Sequence, residues 1–353
     1  MKKSVRMARF IDCYIPINTC NLRCPYCYIT QSKRWDAPLP KVTYATETII
    51  HALSQKRLGG VCHFNICGNG ETLLCPQLTD IVEGLLREGH FVFIVTNGTV
   101  TKVIDKMLHF PHQLRERLGF KFSFHYLQLQ ERGLVDTFFS NVRKAKEAGC
   151  SYMVDITPYD ELIPYIDEIK SVCKKNLGAY CHVLVARKNN MRNKGILTGM
   201  GKKKYYEIWK TFESDLFEYK FSIFGKKRKE FCYAGDWTFT LNLLSGELAP
   251  CYGYPAEQNI YDNTNKPIKF RAVGNHCKEP HCYNGHAFLT LGVIPELAAP
   301  NYSCMKNRVT DDGCQWLTPI MKKHLDSKLY QVHKKYSFLK KWYINHVRTD
   351  RGI

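Results

Sequence analysis

The chain has 353 residues, 44% hydrophobic and 24% charged, with 16 cysteines and a formal net charge of +19. This length allows one or two domains, and the ordinary composition without low-complexity tracts or internal repeats excludes a disordered or solenoid protein. The excess of positive charge favours anionic partners, whether nucleic acid, a membrane surface or a phosphorylated substrate.

The N-terminal stretch is basic, but Asp12 interrupts its apolar run and no small-residue cleavage site follows. No later stretch is long and apolar enough to span a bilayer, so a cytoplasmic protein is expected. In a reducing compartment so many cysteines point to metal or redox chemistry rather than to disulfides. Up to residue 187, short apolar runs alternate with stretches of helical period, the pattern of β-α units around a parallel sheet. The expected strands cover 10–17, 63–66, 91–96, 121–125, 152–156 and 181–186, with helices at 79–86, 100–109, 138–148 and 162–174. In such a fold the chemistry gathers at the carboxyl ends of the strands.

Directly after the first strand stands Cys20-Asn-Leu-Arg-Cys24-Pro-Tyr-Cys27, a C-x3-C-x2-C run. Thiolates are the ligands that iron–sulfur clusters take, and three of them hold three irons of a cubane and leave the fourth open. Zinc prefers four ligands in paired C-x2-C spacings, which this triplet lacks. The run, with the aromatic Tyr26 before its third cysteine, resembles the signature of the radical S-adenosylmethionine (SAM) superfamily. That resemblance implies a partial (β/α)6 TIM-like barrel in which SAM binds the open iron. It also implies that reductive cleavage of SAM yields a 5′-deoxyadenosyl radical, and that Tyr26 packs near the adenine.

Two further stretches are similar to family motifs. Gly68-Asn69-Gly70-Glu71, after the second strand, resembles the glycine-glycine-glutamate motif: its glycines let backbone approach a ligand, and Glu71 can accept from an amine. Thr96-Asn97-Gly98 resembles the family's third-strand ending, and Ser123, in Ser123-Phe124-His125, a ribose contact. Asn65, Asp155 and His182, polar residues in apolar strands, and Arg187, after the sixth, are candidates to face the lumen, with satisfied core groups as the alternative. Cys67 reads as a small buried residue. The resemblance covers about the first 190 residues, with a connection over 191–230.

Residues 231–316 are rich in Gly, Pro, Asn and Cys and read as a small cysteine-rich α+β module. Cys232-x13-Gly246-x4-Cys251 resembles the opening of SPASM and twitch auxiliary-cluster modules, with a hairpin over the intervening residues. A full SPASM pattern does not follow. An auxiliary iron–sulfur cluster on Cys232, Cys251, Cys277 and Cys282 is expected, with a structural zinc as the alternative. From Leu317 to His346 apolar residues recur at helical spacing among lysines, which predicts one basic C-terminal helix that docks its stripe or meets an anionic membrane.

The resulting expectation is a radical SAM enzyme that oxidises or epimerises a sugar-like, glycan-like or other small molecule, with an electron donor such as flavodoxin or ferredoxin. A peptide- or protein-modifying maturase is the alternative. The cysteine motif begins at residue 20, which leaves no room ahead of it for the leader-binding domain of many peptide modifiers, and this favours the small substrate. RNA modification and zinc-dependent nucleic-acid binding are less favoured, since no RNA-binding appendage is recognisable.

Overall fold

The computed structural model describes residues 6–31, 33, 35, 38–40, 42–188, 195–275, 277–279, 282 and 285–346. Parallel strands β1 (Arg9–Ile15), β2 (Cys62–Gly68), β3 (Phe91–Thr96), β4 (Leu118–Ser123), β5 (Ser151–Ile156) and β6 (His182–Val183) lie in sequence order in one open sheet. They are apolar and buried on both faces at most positions, as parallel strands covered by helices must be. The helices Leu78–Arg87, Thr101–Leu108 and Val135–Glu147 connect them and bury one apolar stripe each.

Beyond β1 the sheet continues. β7 (Thr238–Asn242) pairs parallel to β1 with Asp12 opposite Thr240, and β8 (Glu247–Ala249) and β9 (Gln258–Asn259) follow antiparallel. The hairpin expected between Cys232 and Cys251 therefore extends the sheet of the first 190 residues: the two cysteine-bearing parts share one sheet.

Several elements differ from the sequence expectation, and the helix expected over 162–174 is a 3-10 helix, Asp160–Tyr165, followed by an α-helix, Ile166–Leu177. β4 starts three residues earlier than expected and takes in Gly119 where the strand crosses Phe93: a Cβ there would lie 2.6 Å from the ring. β6 has only two residues, because the Tyr205 and Ser214 hydroxyls accept from the Ala186 and Val183 amides in place of another strand.

The single C-terminal helix expected from Leu317 to His346 is three pieces, Pro319–Leu325, Leu329–Gln331 and Phe338–His346. Lys328 ends the first by turning inward, where its ammonium donates to the carbonyls of Thr290 (2.6 Å), Ala299 (3.0 Å) and Pro300 (2.6 Å). The expected stripe divides accordingly: Met321, Leu325 and Leu329 are buried, whereas Val332, Leu339 and Tyr343 are 42%, 75% and 48% exposed. Among the described residues no helix is long and apolar enough to cross a membrane.

Candidate functional site

A cavity of about 870 Å3 lies at the carboxyl ends of the strands and is lined by residues within them as well as by the loops that follow. Cys20, Cys24 and Cys27 line its mouth together with Tyr26, on the loop that follows β1. The loop is tied to its neighbours at several points. Asn97 Nδ2, just past β3, donates to Asn21 Oδ1 at 2.7 Å and approaches Cys20 Sγ at 3.9 Å. Asn21 Nδ2 in turn donates to Thr99 Oγ1 at 2.8 Å, and the Arg23 amide donates to Gln128 Oε1 at 3.0 Å. Tyr26 hydrogen-bonds His125 Nδ1 through its hydroxyl and packs its ring 4.4 Å from that of Tyr159.

The segment leading into this loop runs against the Gly68-Asn69-Gly70-Glu71 stretch. Asn69 and Glu71 donate their amides to the carbonyls of Ile15 and Thr19, both at 3.0 Å. The approach is so close that a Cβ on Gly70 would lie 2.1 Å from the Thr19 oxygen, and one on Gly68 2.7 Å from Ile17. Both glycines are thus required for backbone packing as well as lining the cavity. Glu71 is 2% exposed and accepts from Thr96 Oγ1 (2.7 Å), the Leu73 amide (3.0 Å) and the Asn97 amide (2.8 Å). Burial raises its pKa against the pull of those hydrogen bonds. Its carboxylate joins the ends of β2 and β3 and leaves about one acceptor position for a ligand, since a carboxylate offers about four.

The three thiols fit an iron–sulfur cluster by their chemistry. Burial pushes the Cys24 thiol up to about 12 and raises those of Cys20 and Cys27, so metal is needed to stabilise the thiolates. The Leu22 amide, 3.5 Å from Cys20 Sγ, supplies a donor to sulfur.

Deeper in the cavity the walls are charged. Ser123 lines it, in register with Asp155 on β5. Asp155 lies 2.7 Å from Lys121 Nζ, and burial, which opposes the lysine's charge, is outweighed by that carboxylate, so the Lys121 pKa is raised. Asp12 accepts from Asn65 Nδ2 at 2.6 Å and from the Tyr252 hydroxyl. Lys220, Lys306 and Arg187 complete the lining, and Cys67 also faces the cavity. His182 does not: its ring nitrogens meet Ser214 Oγ (3.3 Å) and the Asn307 carbonyl (3.2 Å), which makes it a satisfied core group.

Sequence reasoning missed Lys121, Lys220, Lys306 and Tyr252. Lys121 left a signal as a charge between aromatic residues in a strand; the others come from distant parts of the chain.

A second, smaller and apolar cavity lies behind Tyr252. Cys232, Cys251, Cys277 and Cys282 all line it, and Cys251, Tyr252 and Tyr254 form the wall it shares with the first. Burial raises the pKa of each thiol, to about 12 for Cys232 and Cys282, and the neighbouring sulfurs add to this for Cys251 and Cys282. Among the described residues no three His, Cys, Asp or Glu side chains are arranged to hold one metal ion.

An open parallel sheet with a cysteine loop at its carboxyl edge defines the class, and residues 14–160 match the Radical SAM superfamily. Residues 14–160 are therefore a radical SAM domain, and that family uses a 4Fe–4S cluster and SAM. No curated protein matches the chain.

Among solved structures it is similar to Streptococcus suis SuiB bound to S-adenosylmethionine, at TM-score 0.51 and 14% identity over 73% of this chain and 64% of that one. It is equally similar to native anSMEcpe with bound AdoMet, at TM-score 0.51 and 15% identity over 76% and 82% of the two chains. At these identities the likeness is one of fold, and this chain spans under two thirds of SuiB.

Proposed function

We propose that the chain is an enzyme that cleaves SAM reductively and uses the radical so formed to abstract hydrogen from a sugar-like or other small molecule, with oxidation or epimerisation as the outcome. The observation that supports this best is the position of Cys20, Cys24 and Cys27 on one pinned loop against a cavity that Asp12, Glu71, Lys121, Lys220 and Lys306 also line. In this reading the three cysteines hold the cluster, which supplies the electron for SAM cleavage when reduced. Tyr26, Gly68, Asn69, Gly70, Glu71, Ser123 and Arg187 surround SAM.

Cys232, Cys251, Cys277 and Cys282 hold an auxiliary cluster beyond the shared wall, placed to accept an electron from a substrate radical or to fix the substrate. A flavodoxin or ferredoxin supplies the reducing electron. Anaerobic incubation of the reconstituted enzyme with SAM and reductant tests the reading. A small polyol or sugar derivative should raise 5′-deoxyadenosine release above the substrate-free rate. Stimulation by peptides alone would replace this reading with peptide modification.

A further inference from the structure

Two ammonium groups that line the main cavity have no carboxylate in contact with them among the described residues. The carboxylates in electrostatic reach of its lysines are engaged elsewhere: Asp155, which is not itself a lining residue, pairs with Lys121 at 2.7 Å, and Asp12, which lines the cavity, accepts from Asn65 and Tyr252. The side-chain ammonium groups of Lys220, on the helix Asp215–Ile223, and of Lys306, after the short helix Tyr302–Met305, have neither a hydrogen bond nor an ion pair among the described residues, and both residues line the cavity. Lys306 is 4% exposed and lies 5.0 Å from the centre of the Phe93 ring and 5.3 Å from that of Tyr302, well inside the strand ends where the cysteine loop sits.

We propose that Lys220 and Lys306 form a subsite for an oxyanion, a phosphate or carboxylate group, carried by the substrate. The inference rests on the cavity being a substrate site, as proposed above, and adds the chemical class of what enters it. A buried ammonium without a partner is costly, and an entering anion removes that cost while gaining charge-assisted hydrogen bonds. The two lysines also lie within electrostatic reach of each other and of Lys121. Burial first, then these like charges, draws both down to about 7 against the opposing pull of Asp155, and an entering anion favours their charged forms. The amino and carboxylate groups of SAM belong at the cluster, by the family's chemistry, which leaves this deeper pair for another ligand.

Inorganic phosphate and acetate are suitable probes, titrated at constant ionic strength into the anaerobically reconstituted full-length enzyme, with and without saturating SAM, and followed by calorimetry. At least one of them should bind, with an affinity that SAM changes by less than about twofold. Lys220→Met and Lys306→Met should each weaken that binding by about tenfold or more, the cost of losing a charged hydrogen-bond donor. Preference for phosphate identifies a phosphorylated substrate, and preference for acetate a carboxylated one.

The ligand-free Lys306→Met protein should melt above the parent, because an uncompensated buried charge is gone; this guards against a variant that merely fails to fold. Three results would overturn the proposal: no binding of either anion, equal binding by parent and both variants, or displacement of the anion by SAM. Failure of the radical reading is visible separately, as absence of 5′-deoxyadenosine from the parent enzyme without any anion.

Discussion

Asn97 Nδ2 donates to Asn21 Oδ1 at 2.7 Å, so the residue just past β3 fixes the loop that carries the three cysteines. Asn97 is 4% exposed, its Oδ1 accepts from the Thr99 amide at 3.1 Å, and its own amide donates to Glu71. The Thr96-Asn97-Gly98 turn is thus a bracket between the glycine-rich stretch and the cysteine loop.

Asn97→Ala should cost about 1 kcal/mol of stability, the net value of a lost hydrogen bond. It should slow SAM cleavage by about tenfold while leaving the iron content unchanged, since misplacement of a reacting group costs rate steeply. Iron analysis and 5′-deoxyadenosine release on one preparation measure both. Parent-like cleavage would show that the loop holds its geometry without this bracket.

The second cysteine set should act independently of the first. A variant with Cys20, Cys24 and Cys27 all changed to Ala should retain about four iron and four sulfide per chain, as expected of a single cubane. Adding Cys251→Ala should remove them. Zinc in place of iron in the triple variant would turn the second cavity into a structural metal site.

Acid should destabilise the protein through its buried histidines. His90 accepts from the Cys62 amide at 3.0 Å through Nδ1, which leaves Nε2 to donate to the Leu53 carbonyl at 2.9 Å. Burial lowers His90 from its ordinary value of 6.5 to about 4, and His125 likewise. With the folded pKa below the unfolded one, the unfolded chain binds more protons between pH 6.5 and 4. Stability is therefore full above that window and falls as the pH drops through it. His90→Gln should flatten the pH dependence of urea unfolding by an amount on the order of 3 kcal/mol across the window. Equal slopes for parent and variant would remove His90 as the cause.

The parts legible in the sequence are those fixed by local pattern. The order of six β-α units follows from apolar runs, and the cysteine loop from its spacing directly after a strand. The rest depends on contacts between distant residues. β7 joins β1 through residues separated by more than two hundred positions. The C-terminal helix breaks because Lys328 is drawn to carbonyls 28 to 38 residues away. Lys220 and Lys306 look like members of a basic solvated surface until the fold turns them inward.

The central claim is that Cys20, Cys24 and Cys27 hold a cluster that cleaves SAM, and the most direct measurement is 5′-deoxyadenosine release by the reduced, anaerobically reconstituted enzyme. The parent should release it, and Cys20→Ala, Cys24→Ala and Cys27→Ala should each abolish release, because three thiolates are needed to present one open iron. Release at the parent rate by any one of the three variants would contradict the account.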